Sequence, residues 1–174
     1  HGFIVLHLFS MNLLILVLAQ YLLFICPALI IYAWIISQKK DRFTQWTGFA
    51  LTILLTGVLG FIGAHLYAHA RPFVVTGIPP LFPHTTDNGF PSNHTLLTAA
   101  IAAGLWKISK PTSIVGWIVA LLVGAARVLA GVHWPIDIAG SIVFAILAGW
   151  IATLITPILQ EKLLKRLVDT AKKI

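Results

Sequence analysis

Long apolar runs separated by short polar connectors are the feature that most constrains what this chain can fold into. Hydrophobic residues make up 59% of its 174 residues, charged residues make up only 10%, and the mean hydropathy is +0.94. In hydrocarbon, backbone polar groups must be satisfied within the segment, so an apolar run of about 20 residues crosses a bilayer as a helix. The composition therefore excludes a soluble domain and predicts an all-α, polytopic membrane helix bundle.

Five apolar runs are predicted to be membrane-spanning helices, at residues 12–36, 46–67, 95–106, 112–130 and 136–158. The first run contains Pro27, where we expect a tolerated kink. The third run provides roughly 18 Å of helix against a hydrocarbon core of about 30 Å. To cross, this helix must begin at or before His94, which would place His94 near the membrane surface.

Both ends of the chain are predicted to lie at membrane surfaces, within one domain that comprises residues 1–174. Residues 1–11 are apolar but interrupted by His7 and Ser10, which is typical of an interfacial segment or of the remnant of a longer N-terminus. Residues 160–174 have apolar side chains on one helical face and lysines elsewhere. That pattern is typical of a basic amphipathic tail lying on an anionic leaflet.

The basic residues predict the orientation of the bundle. Ten of the twelve Lys and Arg residues lie in the connectors at 37–45 and 107–111 and in the C-terminal tail. Five spans put these segments on one side, and the positive-inside rule makes that side, with the C-terminus, cytoplasmic. The net charge of +7 is thus explained by topology, and a nucleic-acid partner is excluded. Arg71 and Arg127 belong to the opposite side, which is periplasmic or extracellular.

Polar residues gather in three clusters on that outer side: Arg71-Pro72, Pro91-Ser92-Asn93-His94 and residues 127–137. Ionisable groups in so apolar a chain are costly unless paired or hydrated, so they indicate function. Two arginines, a hydroxyl and amides at a helix N-terminus suit a phosphate group. Two histidines suit a nucleophile and a proton donor, and Asp137 follows His133 by one helical turn, within reach of its ring.

The clusters resemble the three signature motifs of the type 2 phosphatidic acid phosphatase superfamily, which includes bacterial undecaprenyl diphosphate phosphatases. The similarity includes Arg-Pro-Phe at 71–73, Gly89-Phe90 before the second motif and Gly-Val-His-Trp-Pro-Ile-Asp at 131–137. Three motifs in the same order make a specific signal, whereas any one alone is weak.

This resemblance implies a hydrolase without cofactor or metal that converts undecaprenyl diphosphate to undecaprenyl phosphate. The enzyme would lie in a bacterial cytoplasmic membrane with its active site facing outward. Its partners would be a polyprenyl or other lipid phosphate and the surrounding membrane lipids. The sequence leaves open the choice between a monomer and a homodimer.

The resemblance also implies a role for each motif residue. His133 would attack phosphorus to form a phosphohistidine, Asp137 would hold its ring, and His94 would protonate the leaving group. The phosphate-binding residues would be Arg71, Arg127, Ser92 and Asn93, with Pro72 as a further substrate contact. The arginines would supply the positive charge that a metal ion supplies in other phosphatases.

Three positions depart from the pattern of the superfamily. Many members have a lysine seven residues before the first-motif arginine, and this chain has Ala64 there. His65 and His69 are the nearest replacements and are therefore further candidates for substrate contact. Asn93 stands where glycine is common, and Ala126 stands where serine is common. These departures put the substrate range in question more than the activity.

Other functions and roles stay open on sequence grounds. The same residues would suit another lipid phosphate, namely phosphatidylglycerophosphate, phosphatidic acid or a lipid A phosphate. A transporter is a further alternative, and so is a metal-dependent hydrolase that uses His65, His69 and His84, because the first two lie one turn apart. Asp87 belongs to a turn signal first and is only a weak candidate for substrate contact.

Overall fold

The computed structural model describes residues 2–171 of the chain, with side chains at positions 10–162, 165 and 170. Every element in the described range is helical: α1 (Gly2–Gln20), α2 (Ile25–Ile36), α3 (Arg42–Leu66), α4 (Pro72–Thr76), α5 (Asn93–Leu105), α6 (Lys110–Leu129) and α7 (Pro135–Ala171), with a 3-10 turn at Leu22–Phe24. The predicted all-α architecture is confirmed. Each predicted apolar run falls on one of these helices or, for the first run, on α1 and α2.

Helix α5 occupies the centre of the bundle, where it packs against α3, α6 and α7. Eight of its 13 residues are buried, on all sides of the helix. A helix that is apolar all round packs inside a protein. Small residues permit the close packing: a Cβ added at Gly116 of α6 would lie 3.0 Å from the Cβ of Ala102. Such contacts are typical of helix packing in membranes.

Helix length distinguishes α5 from the other helices that are expected to span the membrane. Among the described residues, α3, α6 and the Pro135–Lys162 part of α7 are long and apolar enough to cross a bilayer, and α1 with α2 would form a fourth, bent span. Helix α5, with 13 residues, is about 20 Å long and falls short of a hydrocarbon core of about 30 Å. By length and composition, three of the five expected spans qualify, or four with the bent pair, and the predicted helix start at or before His94 is confirmed.

The bend in the first apolar run is not at Pro27, as we expected, but at Tyr21, directly before the 3-10 turn Leu22–Phe24. The segments Ser10–Gln20 and Leu22–Ile36 meet there at 45°. Pro27 is the third residue of α2, in the first turn, where its missing N–H needs no partner within the helix. The proline therefore lies near a helix start and does not kink a continuous helix.

The two ends of the described chain continue the neighbouring helices. The backbone of residues 2–11 belongs to α1, and α7 runs without interruption through residues 160–171. Neither segment is thus a separate helix. The side chains of residues 1–9 and most of those after 162 lie outside the described residues, so the interfacial N-terminus and the amphipathic tail stay predictions.

We expect Gly140→Ala to destabilise the protein, because a Cβ at Gly140 would overlap the ring of Phe90. That ring is held edge-on against Tyr67 and Phe144, with centroids 5.0 and 5.9 Å away, so it has little room to move. Overpacking of this kind costs about 1–3 kcal/mol. Thermal unfolding in detergent measures the loss. Gly57→Ala is the matched control, since nothing lies within 4 Å of the added Cβ. Equal melting temperatures for the two variants would contradict the prediction.

Candidate active site

The three polar clusters predicted from the sequence meet at one end of the bundle. Arg71 precedes α4, Ser92 precedes α5, and residues 127–137 lead from α6 into α7. Five motif residues are buried here, each with an exposed fraction of at most 4%: Arg71, Ser92, Arg127, His133 and Asp137. So many buried polar groups require mutual hydrogen bonds. Those bonds define the geometry of the candidate site.

His133 lies between a carboxylate and two guanidinium groups. Its Nδ1 is 3.3 Å from Oδ2 of Asp137, and its Nε2 is 3.2 Å from a terminal nitrogen of Arg71 and 3.5 Å from one of Arg127. Guanidinium groups only donate, so Nε2 accepts and Nδ1 carries the proton that is donated to Asp137. The arrangement presents a nucleophilic nitrogen beside two anion-binding side chains.

Burial lowers the pKa of His133, and the charges of Arg127 and Arg71 lower it further, against the opposing effect of the hydrogen bond to Asp137. The protonated ring is disfavoured because it would place a third positive charge beside two guanidinium groups. His133 is therefore neutral at neutral pH, which is the state that a nucleophile requires.

Arg71 is fixed by an ion pair that we did not predict. Its Nε donates to Oδ1 of Asp87 at 3.0 Å, and one terminal nitrogen forms an ion pair with the same oxygen at 2.8 Å. The other terminal nitrogen donates to the carbonyl of Val132 at 3.1 Å. Burial raises the pKa of Asp87, but hydrogen bonds from Thr85 and Arg71 outweigh it and hold the pKa below its usual value. Asp87 thus orients Arg71 toward His133. We had expected Asp87 mainly to form a turn.

His84 is a second site residue whose position the sequence did not reveal. Its Nε2 accepts from Arg127 at 2.7 Å, and its Nδ1 lies 3.3 Å from the carbonyl oxygen of Thr85. Burial lowers the pKa of His84, as do the charges of Arg71, Arg127 and His133, against the hydrogen bond to Thr85. The ring is therefore neutral beside Arg127. The available signal in the sequence was a histidine two residues after Phe82 in a proline-rich loop.

Arg127 has an unused donor. Besides its contacts with His84 and His133, it donates to the carbonyl of Ala19 at 3.5 Å. Its Nε is buried and has no hydrogen-bond partner among the described residues. A buried N–H without a partner is costly and suits an anionic ligand.

The start of α5 brings the second motif to the site. The backbone N–H of Ser92 donates to the carbonyl of Asp137 at 3.3 Å, and the Ser92 hydroxyl accepts from Thr95 at 3.2 Å. Asn93 and His94 form the first turn of α5, and His94 lies close enough to Arg127 for the positive charge of that guanidinium group to act on its ring. The free N–H groups of a helix start, a buried hydroxyl and a second histidine therefore lie near the arginines.

The histidines considered as metal ligands have separate partners. His65 donates from Nδ1 to the carbonyl of Phe61 in its own helix at 2.8 Å, His69 bonds to Asp137 at 2.8 Å, and His84 bonds to Arg127. Within residues 10–162, no three His, Cys, Asp or Glu side chains form a group that could hold a metal ion. The geometry thus gives no support to the metal-dependent alternative.

Pro72, a further candidate for substrate contact, and Ala64 have backbone roles. Pro72 is the first residue of α4, a position that suits its fixed φ angle. Ala64, where many members of the superfamily have lysine, accepts from the side chain of Asn88 at its carbonyl, 2.8 Å away. Direct contacts of Pro72, His65 and His69 with a substrate stay predictions.

Residues 45–161 match the family model described as the PAP2 superfamily, and the chain belongs to that superfamily. It is 29% identical to "Bacitracin transport permease protein BcrC" of Bacillus licheniformis over 90% of this chain and 81% of that protein. It is 35% identical to undecaprenyl-diphosphatase BcrC of Bacillus subtilis over 71% of this chain and 64% of that protein. Among solved structures, that of LpxE from Aquifex aeolicus shares 27% identity with a TM-score of 0.64, covering 83% of this chain and 86% of that chain.

These similarities confirm the family predicted from the three motifs. The chain is a membrane lipid phosphatase of the PAP2 superfamily and hence a hydrolase.

We expect His133 to titrate below the ordinary histidine pKa of about 6.5. In Arg71→Gln the pKa should rise, because the lost positive charge lies 3.2 Å from Nε2. An NMR titration of ¹⁵N-histidine-labelled protein in nanodiscs measures both values. Arg42→Gln is the control, since Arg42 instead stacks on Trp34 at the start of α3. The prediction fails if Arg71→Gln leaves the titration unchanged.

Proposed function

We propose that this enzyme hydrolyses undecaprenyl diphosphate to undecaprenyl phosphate through a phosphohistidine at His133. The observation that carries the proposal is the position of His133 Nε2, which faces Arg71 and Arg127 while Nδ1 is bonded to Asp137. A terminal phosphate held by the two arginines would have its phosphorus next to this nitrogen. Proximity and orientation then replace a bimolecular encounter.

In the first step, His133 Nε2 forms a bond to the terminal phosphorus as the bond from that phosphorus to the bridging oxygen breaks. The leaving group is undecaprenyl phosphate, and His94 donates a proton to its departing oxygen. Asp137 stabilises the positive charge that the His133 ring gains. Arg71, Arg127, Ser92 and the amide of Asn93 stabilise the charge on the phosphoryl oxygens.

In the second step, water attacks the phosphohistidine and the bond between phosphorus and Nε2 breaks. His94, which lost its proton in the first step, takes one from the attacking water. The products are inorganic phosphate and the free His133 ring, so the enzyme returns to its starting state. The guanidinium groups provide the positive charge at the phosphate, and we propose that the reaction needs no metal ion.

The lipid substrate is supported by the name of a relative. The Bacillus subtilis protein that is 35% identical is named an undecaprenyl-diphosphatase. The diphosphate would offer four or more oxygen acceptors to a site with two guanidinium groups and a helix start. Phosphatidylglycerophosphate, phosphatidic acid and lipid A phosphate remain the alternatives within the same chemistry.

The positions of the basic residues support an outward-facing site. The loops that hold the site lie at one end of α3 and α6, and the basic residues at the start of these two helices, Arg42 and Lys110, lie at the other end. The positive-inside rule makes the basic end cytoplasmic. We propose a bacterial cytoplasmic membrane, with the site on the periplasmic or extracellular face and the C-terminus in the cytoplasm.

A transporter is the second candidate, because the relative from Bacillus licheniformis is named a transport permease. The spans argue against it. Helix α3 has ionisable residues only at its two ends, at Arg42 and His65, and α6 likewise only at Lys110 and Arg127. A translocation route for a charged group is normally lined by ionisable residues at mid-depth.

Replacement of either site histidine should abolish turnover. We expect His133→Ala to lower phosphate release on the order of 10³-fold or more, since the nucleophile is lost. His94→Ala should lower it about 10²- to 10⁴-fold, the usual contribution of a general acid. Malachite-green detection of phosphate from undecaprenyl diphosphate in detergent measures both. Thr47→Val is the control, because the Thr47 hydroxyl donates to the carbonyl of Phe43 in its own helix near the start of α3, away from the site, and this variant should stay active. Wild-type turnover by His133→Ala would rule out the phosphohistidine.

A panel of lipids in the presence of chelator tests substrate and metal dependence together. We expect undecaprenyl diphosphate to be the best substrate by kcat/KM, above phosphatidylglycerophosphate, phosphatidic acid and a lipid A phosphate, with rates unchanged by EDTA. A monophosphate lipid as best substrate would reassign the enzyme within the superfamily. Loss of activity in EDTA that Mg²⁺ restores would overturn the metal-independent mechanism. Lipid transport into liposomes by His133→Ala would favour the transporter.

A further inference from the structure

Asp137 is shared by two histidines. Its Oδ2 accepts from His133 Nδ1 at 3.3 Å and from the backbone N–H of Trp134 at 2.8 Å. Its Oδ1 accepts from Nδ1 of His69 at 2.8 Å. The shorter of the two histidine contacts is thus the one made by His69, which lies 68 positions earlier in the chain.

His69 is held firmly enough to fix the carboxylate. Its backbone N–H donates to Oδ1 of Asn88 at 2.9 Å, and its carbonyl accepts from Gly89 at 2.8 Å. Its ring lies between the rings of Tyr67 and Trp134, with centroids 5.2 and 6.2 Å away. Main chain and ring are both restrained, so Nδ1 is directed at Asp137.

Because Asp137 is buried, its bond to His69 matters for the position of the carboxylate. The Asp137 side chain has an exposed fraction of 0%, whereas that of His69 is 25% exposed. A buried carboxylate needs donors on both oxygens, because an unpaired buried charge is strongly destabilising. Since His69 bonds Oδ1 from the other side, it keeps Oδ2 turned toward His133.

We propose that His69 is a positioning residue that acts on His133 through Asp137, so that two histidines and one carboxylate form a single hydrogen-bonded unit. The inference rests on the proposed function, in which His133 gains positive charge when it is phosphorylated. Asp137 can stabilise that charge only if its Oδ2 stays in place. Loss of His69 would therefore impair the chemical step and leave substrate binding nearly intact, whereas loss of a substrate contact would raise KM.

The test compares His69→Leu with His69→Asn. Leucine removes the donor, while asparagine places its Nδ2 at nearly the same position as histidine Nδ1 and keeps it. We expect His69→Leu to lower kcat about 10- to 100-fold, the usual cost of losing an outer partner, with KM changed less than about twofold. His69→Asn should recover most of the loss. Equal impairment of both variants, a wild-type rate in His69→Leu, or a raised KM with unchanged kcat would each overturn the inference.

A measurement that needs no turnover separates this inference from the proposed function. In ¹⁵N-histidine-labelled protein in nanodiscs, the Nδ1 resonance of His133 should shift in His69→Leu and return toward its wild-type position in His69→Asn. Thr47→Val and Thr47→Asn, near the start of α3 and at the opposite end of that helix from the site, are the controls, and they should move neither kcat nor the resonance. If the wild type hydrolyses no lipid, the proposed function fails and the resonance still decides the role of His69. If the wild type is active and the resonance does not move, the inference alone fails.

Discussion

Two buried guanidinium groups beside one imidazole are the constraint on which the rest of the site depends. Arg71 is balanced by the carboxylate of Asp87, whereas Arg127 has no carboxylate within 4 Å among the described side chains. Its charge instead faces neutral acceptors and the ring of Phe82, whose centroid lies 5.7 Å away. Neutral acceptors compensate a buried charge only in part. The site therefore carries positive potential that an anion relieves, which is the electrostatic requirement for binding a phosphate.

The bundle meets this requirement through the ends of its helices. Helix α5 is short and surrounded by protein, so its N-terminus lies beside the loop between α6 and α7. Gly131 makes that loop compact: its φ of 75° is left-handed, and it ends α6 so that the N–H of Val132 bonds back to the carbonyl of Arg127 at 3.2 Å. This turn returns His133 to the same face as Arg127 and starts α7 two residues later. A residue with a Cβ at 131 would be strained in that conformation.

Sequence reasoning succeeded where the information was local. The spacing of four residues between His133 and Asp137, the start of α5 near His94 and the apolar runs all depend on neighbours within one or two helical turns. The contacts it missed join distant positions: 16 residues separate Arg71 from Asp87, 43 separate His84 from Arg127, and 68 separate His69 from Asp137. Within a helix, spacing determines which side chains meet, but in a loop it does not. The bend before α2 was misplaced for a similar reason, because proline at a helix start and proline within a helix look alike in sequence.

The loop between α4 and α5, residues 77–92, accounts for much of what the motifs alone do not explain. Among the described side chains, those that hydrogen-bond the two arginines besides His133 are His84 and Asp87, both from this loop, and none comes from α3. Asn88 holds the loop in place: Oδ1 accepts from the N–H groups of His69 and Phe90, and Nδ2 donates to the carbonyls of Ala64 and Tyr67. An asparagine with all four of these bonds is fully satisfied and therefore rigid. The position where many members of the superfamily have a lysine thus anchors, through its backbone, the loop that brings an acid to one arginine and a neutral ring to the other.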